Sequence, residues 1–174
     1  MKKLFVNKNI EITSQEFRVF LEQFSRGENI ESISLCKNIK SKWWDFIDGR
    51  NFAQPKTIKR LNGNCLPSSN PPSKPGVYGI FASFKTSDFP QCFYVGISAR
   101  DLRSRVRTHL STDIKKNYRS AFKRLEEAEE IYICSCSVPE SENKNRIRQE
   151  LELLEHCLIV LLRPRFLLLA AMNA

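Results

Sequence analysis

Pro75-Gly76-Val77-Tyr78-Gly79-Ile80-Phe81-Ala82-Ser83-Phe84 is followed, after the polar stretch Lys85–Gln91, by Cys92-Phe93-Tyr94-Val95-Gly96-Ile97. Both runs are rich in aromatic and β-branched residues and are bounded by turn formers, so they read as two strands of an antiparallel hairpin. Residues two apart share a face of a strand, which groups Tyr78 with Ile80 and Tyr94 with Gly96. The hairpin can bring the two tyrosines together. Gly96 removes bulk near the strand end, where a ligand or another backbone can approach closely. Taken alone, two such tyrosines are ordinary sheet aromatics.

Downstream the pattern changes to a helical period. Asp101 to Leu110 reads as a short helix with Leu102, Val106 and Leu110 in one apolar stripe. Arg105 and His109, four apart, flank one side of that stripe, and Arg103 and Arg107 flank the other. A second helix is expected over 117–129, then a third strand, Ile131-Tyr132-Ile133-Cys134-Ser135-Cys136-Ser137-Val138. A long helix from Lys144 to Leu162 carries Ile147, Leu151, Leu154, Leu158 and Leu162, and Arg163-Pro164 ends it because proline cannot continue the hydrogen-bond ladder. The order β-β-α-α-β-α over 71–174 predicts a small α/β domain. Within the long helix Glu155 lies between Leu151 and Ile159 on one face. An ionised carboxylate flanked by aliphatics is costly unless a cation or donor compensates it. A salt bridge to Arg148, or plain solvent exposure, would serve equally well.

Upstream, Ser14 followed by Phe17, Phe20, Leu21 and Phe24 gives a cap and an amphipathic helix closed at Arg26-Gly27. A second run with Ile30, Ile33, Cys36, Ile39, Trp43 and Ile47 stops at Gly49. Trp43, Trp44 and Phe46 read as core. Residues 62–76 are a run of turn formers with four prolines, the best candidate boundary in the chain. Residues 1–70 are therefore expected to form an N-terminal helical extension.

The chain has 174 residues, 41% hydrophobic and 10% aromatic, which excludes a wholly disordered or collagen-like polymer. No stretch is long and apolar enough to span a bilayer, so no membrane partner is expected. The apolar run before Asn7 is only three residues, Leu4-Phe5-Val6, too short for a signal-peptide core, and the expected location is cytoplasmic. Six cysteines (Cys36, Cys65, Cys92, Cys134, Cys136 and Cys157) include no Cys-x2-Cys pair, and there are two histidines. Buried free thiols fit them better than a disulfide framework or a zinc site.

Lys and Arg number 28 against 19 Asp and Glu, a formal charge of +9. Residues 100–124 alone hold 9 bases against 2 acids, or +7. Arg100, Arg103, Arg107, Lys115, Lys116 and Arg119 belong to this stretch. Such a concentration inside a folded region suggests a polyanion, usually nucleic acid, with a solvated helix face as the plain alternative.

These elements together resemble the GIY-YIG nucleases. The first family motif stands as Gly76-Val77-Tyr78 and the second as Tyr94-Val95-Gly96. The helix with Leu-x-x-Arg stands as Leu102-Arg103-Ser104-Arg105, with His109 four residues on. The metal-binding Glu and the closing Arg-Pro-x-aromatic stand as Glu155 and Arg163-Pro164-Arg165-Phe166. The resemblance covers residues 75–166 and implies an α/β domain with a central three-stranded antiparallel sheet flanked by helices. Leu167 replaces the family's Asn, a position that mostly supports the fold.

The resemblance implies an active, magnesium-dependent endonuclease that hydrolyses phosphodiester bonds in double-stranded DNA, with Mn²⁺ able to substitute for Mg²⁺. Tyr78 and Tyr94 would position or deprotonate the attacking water, Tyr78 being favoured as the base. Arg105 would bind the scissile phosphate, His109 would assist by hydrogen bonding or proton transfer, and Glu155 would hold the single metal ion. Arg100, Arg103, Arg107, Lys115, Lys116 and Arg119 would touch flanking phosphates. Residues 1–70 become a candidate DNA-recognition or dimerisation element. The size suits a restriction-type or mobile-element nuclease. A homodimer, a non-catalytic nucleic-acid-binding module and an RNA-directed nuclease stay open as alternatives.

Overall fold

The computed structural model describes residues 4–49, 71–86, 89–110, 125 and 127–165, with the backbone alone for 4–7, 49, 109 and 110. In chain order the elements are β1 (Leu4–Glu11), α1 (Ser14–Ser25), a 3-10 turn (Ile30–Ser32), α2 (Ser34–Gly49), β2 (Gly76–Ser83), β3 (Gln91–Ser98), α3 (Leu102–Leu110), β4 (Glu130–Ser137) and α4 (Lys144–Leu162). Most of the helix expected over 117–129 lies outside the described residues. Residues 127–129 are not helical.

The strands form one mixed four-stranded sheet in the order β1-β4-β2-β3. β2 is antiparallel to β3, as the hairpin reading expects, and also to β4, and β1 adds to β4 in parallel. The expected three-stranded antiparallel sheet is therefore corrected to α/β with a mixed four-stranded sheet. β1 escapes the periodic reading because Asn7-Lys8-Asn9 interrupts its apolar residues. Its polar centre is satisfied within the sheet. The Ser135 hydroxyl donates to Asn9 Oδ1 at 2.8 Å, and Asn9 Nδ2 donates to Ser137 Oγ at 3.2 Å. Ser135 and Ser137 are both buried, so these bonds offset the desolvation of their hydroxyls.

The sheet separates two apolar clusters. On one face Val77, Phe81, Cys92, Val95, Tyr132, Cys134 and Cys136 pack under α1, α2 and α4. On the other, Tyr78, Ile80, Ala82, Phe93, Ile131 and Ile133 pack with Leu102 and Val106 of α3 and with Leu125 and Ala128. Trp43 of α2 is fully buried and sits edge-on to Phe81, with ring centroids 6.0 Å apart. It reaches the sheet through a gap left by Gly79, where a Cβ would stand 2.9 Å from Trp43 Cζ3. Residues 4–49 thus contribute a strand and two helices to the core that β2 to β4 share.

Caps set the helix limits. Thr13, not Ser14, is the N-cap of α1, in a capping box with Glu16. α4 ends where Arg163 turns left-handed (φ 47°), its N–H donating to Ile159 O, just before Pro164. Cys36, Cys92, Cys134, Cys136 and Cys157 are buried free thiols, and Cys65 lies outside the described residues. No helix among the described residues is long and apolar enough to cross a membrane.

Candidate active site

The register of the hairpin assembles the first half of the site. Tyr78 pairs with Gly96 and Ile80 with Tyr94. The pairing skips Phe93, and this bulge returns Cys92 to the opposite face while Tyr94 stays beside Tyr78. The tyrosine rings lie 5.9 Å apart at 44°. Gly96 forms the floor beneath them: a Cβ there would stand 2.6 Å from Tyr94 Cε1 and 2.8 Å from the Tyr78 hydroxyl oxygen. Only glycine leaves both rings in place.

Two helices bring the other half. β3 is an edge strand, with α3 packed on one side of the hairpin and α4 against β3 from the other. Arg105 projects from α3 with an exposed side chain, and Glu155 is half-buried on α4. Burial raises the Tyr78 pKa well above its ordinary value. Tyr94 adds to the rise by its charge and by a shared hydrogen bond, the Arg105 guanidinium opposes it, and Glu155 adds a little more. Burial likewise lifts the Glu155 carboxyl, helped by Glu152 and opposed by Arg105. Tyr78, Tyr94, Arg105 and Glu155 therefore sit in one electrostatic neighbourhood although they come from four elements. Tyr78 keeps its proton in this environment.

His109 follows Arg105 by one turn of α3, and its side chain lies outside the described residues. Arg100 and Arg107 are exposed, as phosphate contacts need to be. Arg103 differs: it is half-buried, and its Nε donates to the carbonyl of Pro71 at 3.0 Å. Lys115, Lys116 and Arg119 lie outside the described residues.

The groups that hold α3 lie in the turn before it, outside the motifs quoted above. Asp101 accepts from the Ser104 N–H at 3.2 Å and from the Ser104 hydroxyl at 2.7 Å, while the Ser98 hydroxyl accepts from the Asp101 N–H at 2.9 Å. Burial works to raise the Asp101 carboxyl, but the bonds from Ser104 and Ser73 outweigh it and leave it below the usual range. An Asp directly before a helical stripe, with Ser three residues on, is a cap signal that was available in the sequence.

Among the described residues no group of three or more His, Cys, Asp or Glu side chains gathers to hold a metal. A lone carboxylate suits Mg²⁺, which keeps several waters and takes few protein ligands. The residues present thus fit such an ion at Glu155, whose charged form is otherwise disfavoured by burial. Comparison with known proteins returned no match: no family model, curated protein or solved structure matches the chain.

Proposed function

We propose that the chain is a GIY-YIG-type endonuclease, dependent on Mg²⁺ or Mn²⁺, that hydrolyses phosphodiester bonds in double-stranded DNA. The observation that carries this reading is the Tyr78–Tyr94 pair beside the β3 edge, with Arg105 and Glu155 near enough for their charges to act on Tyr78. Phosphodiester hydrolysis needs an oriented water, neutralisation of charge on the phosphate and support for the leaving oxygen. Protonated Tyr78, hydrogen-bonded to Tyr94, is suited to orient the water rather than to act as a standing tyrosinate. The exposed guanidinium of Arg105 can take two phosphate oxygens at once. Glu155 would hold the divalent ion, which when bound supplies Lewis-acid charge at the phosphate. His109, one turn beyond Arg105, would assist by hydrogen bonding or proton transfer.

Exposed Arg100 and Arg107, with the +9 charge of the chain, favour a nucleic-acid partner. The test is incubation with supercoiled plasmid, linear duplex and single-stranded RNA, each with Mg²⁺, Mn²⁺ or EDTA. Nicked or linear DNA with either ion, and intact DNA in EDTA, is expected. Binding without cleavage would make the protein a non-catalytic module, and cleavage confined to RNA would make it an RNA-directed nuclease. Linear plasmid with discrete ends would indicate a dimer with a recognition sequence.

A further inference from the structure

The segment Pro71-Pro72-Ser73-Lys74-Pro75 runs into β2 across the start of α3. Three of its five residues are prolines without an N–H, so most of the bonds that fasten it must be accepted by its carbonyls. The Leu102 N–H donates to Lys74 O at 2.9 Å, Arg103 Nε donates to Pro71 O at 3.0 Å, and the Val138 N–H donates to Pro75 O at 2.9 Å. The Ser73 side chain also bonds the Asp101 carboxylate, and Lys74 Nζ pairs with Glu11 at 3.2 Å. Pro71 and Pro75 are buried. The strap thus ties the first turn of α3 to the ends of β1 and β4. Arg103 and Arg105 are two residues apart, about 200° around the helix, so they leave α3 on nearly opposite sides.

We propose that Arg103 is a positioning residue: its Nε fastens the 71–75 strap to α3 and thereby fixes how α3 presents Arg105 to Tyr78 and Glu155. The proposal rests on the nuclease reading for its kinetic consequence. It moves Arg103 out of the set of phosphate contacts.

Two substitutions separate these roles. Gln carries a side-chain nitrogen bonded to Cδ, the same place along the side chain as arginine Nε, so Arg103→Gln keeps the donor and discards the charge. Arg103→Lys keeps the charge and puts a methylene where the donor was. Cleavage is measured at saturating and limiting duplex, duplex binding is followed against salt in EDTA, and hydrogen exchange is read at the Leu102 amide. With a fastened strap, Arg103→Gln stays within about threefold of the parent and protects the Leu102 amide. Arg103→Lys then loses about tenfold or more in kcat with KM little changed, because a small misplacement of a catalytic group is costly. Its Leu102 amide exchanges faster, and neither substitution alters the salt slope. The proposal is overturned if Arg103→Lys is active while Arg103→Gln is not. A salt slope lower by about 1 in Arg103→Gln overturns it too, since that marks a lost phosphate contact. If the parent protein cuts nothing, the nuclease reading falls, while the Leu102 amide and the salt slope still decide whether Arg103 holds the strap or meets phosphate.

Discussion

Tyr78 and Tyr94 face each other across Gly96, their ring centroids 5.9 Å apart, on adjacent strands of one hairpin. The pair depends on the missing side chain beneath it. In Gly96→Ala the new Cβ would press on Tyr94 Cε1 and the Tyr78 hydroxyl at 2.6 and 2.8 Å. Neither ring is a flexible chain end, so the tyrosines must move. Overpacking of this kind costs about 1–3 kcal/mol in stability. Misplacement of the hydroxyls is expected to lower the rate at saturating DNA by about 100-fold. Thermal unfolding and cleavage kinetics on the same preparation check this, and a rate within twofold of the parent would remove the tyrosines from the chemistry.

Arg105 is exposed, so it is expected to matter to the reaction and not to the fold. Arg105→Ala should leave stability within about 0.5 kcal/mol and lower cleavage by about 10²–10³-fold, the usual cost of losing a donor to developing charge. Arg105→Lys should restore only part of that loss, because an ammonium cannot reproduce the two-pronged contact. Parallel denaturation and cleavage measurements read both effects. Full activity in Arg105→Lys would mean that charge alone is needed there.

Glu155 gives a prediction in pH. Its carboxyl is raised in the folded protein, chiefly by burial. The folded state therefore holds that proton more tightly than the unfolded chain. The contribution favours folding at low pH and is lost as pH rises through the folded pKa. Glu155→Gln cannot ionise, so in EDTA at pH 7 it should be the more stable protein. The difference should vanish near about pH 3, below the ordinary glutamate range. Adding Mg²⁺ should raise the melting temperature of the parent and leave Glu155→Gln unmoved. Calorimetry across this range provides the check, and a Glu155→Gln protein less stable than the parent at pH 7 contradicts it.

Trp43 and Gly79 test whether the first helices belong to the same core as the site. A Cβ at Gly79 would meet Trp43 at 2.9 Å and the Phe81 ring at 2.8 Å. Gly79→Ala should cost about 1–3 kcal/mol, and Trp43→Ala about 3–5 kcal/mol from loss of a fully buried aromatic. Chemical denaturation monitored by circular dichroism measures each. Unchanged unfolding midpoints would mean that α2 packs only loosely on the sheet.

The hairpin was legible because its two runs carry strand residues between clear turn formers, and Gly96 marked the place where bulk had to be absent. The limits of α4 were legible in the spacing of its leucines and in Pro164. β1 was not, since its polar centre Asn7-Lys8-Asn9 breaks the alternation and its partners Ser135 and Ser137 lie far along the chain. The bulge at Phe93 was equally hidden, because Cys92-Phe93-Tyr94-Val95 is apolar at both parities. Residues 71–75 read as the tail of a proline-rich boundary, yet their carbonyls are what α3 and β4 bond to. Arg100, Arg103, Arg105 and Arg107 look alike in sequence, and the half-burial of Arg103 depends on that strap. That Glu155 and Arg105 share a neighbourhood depends on how α3 and α4 flank β3, which no local pattern encodes.

The most direct measurement is cleavage of supercoiled plasmid in Mg²⁺ by the parent protein and by Glu155→Gln, with duplex binding of both followed in EDTA. The nuclease reading expects the parent to nick or linearise the plasmid, and Glu155→Gln to bind DNA at least as well while leaving it supercoiled. A parent that binds and never cuts, or a Glu155→Gln protein that cuts at the parent's rate, would contradict it.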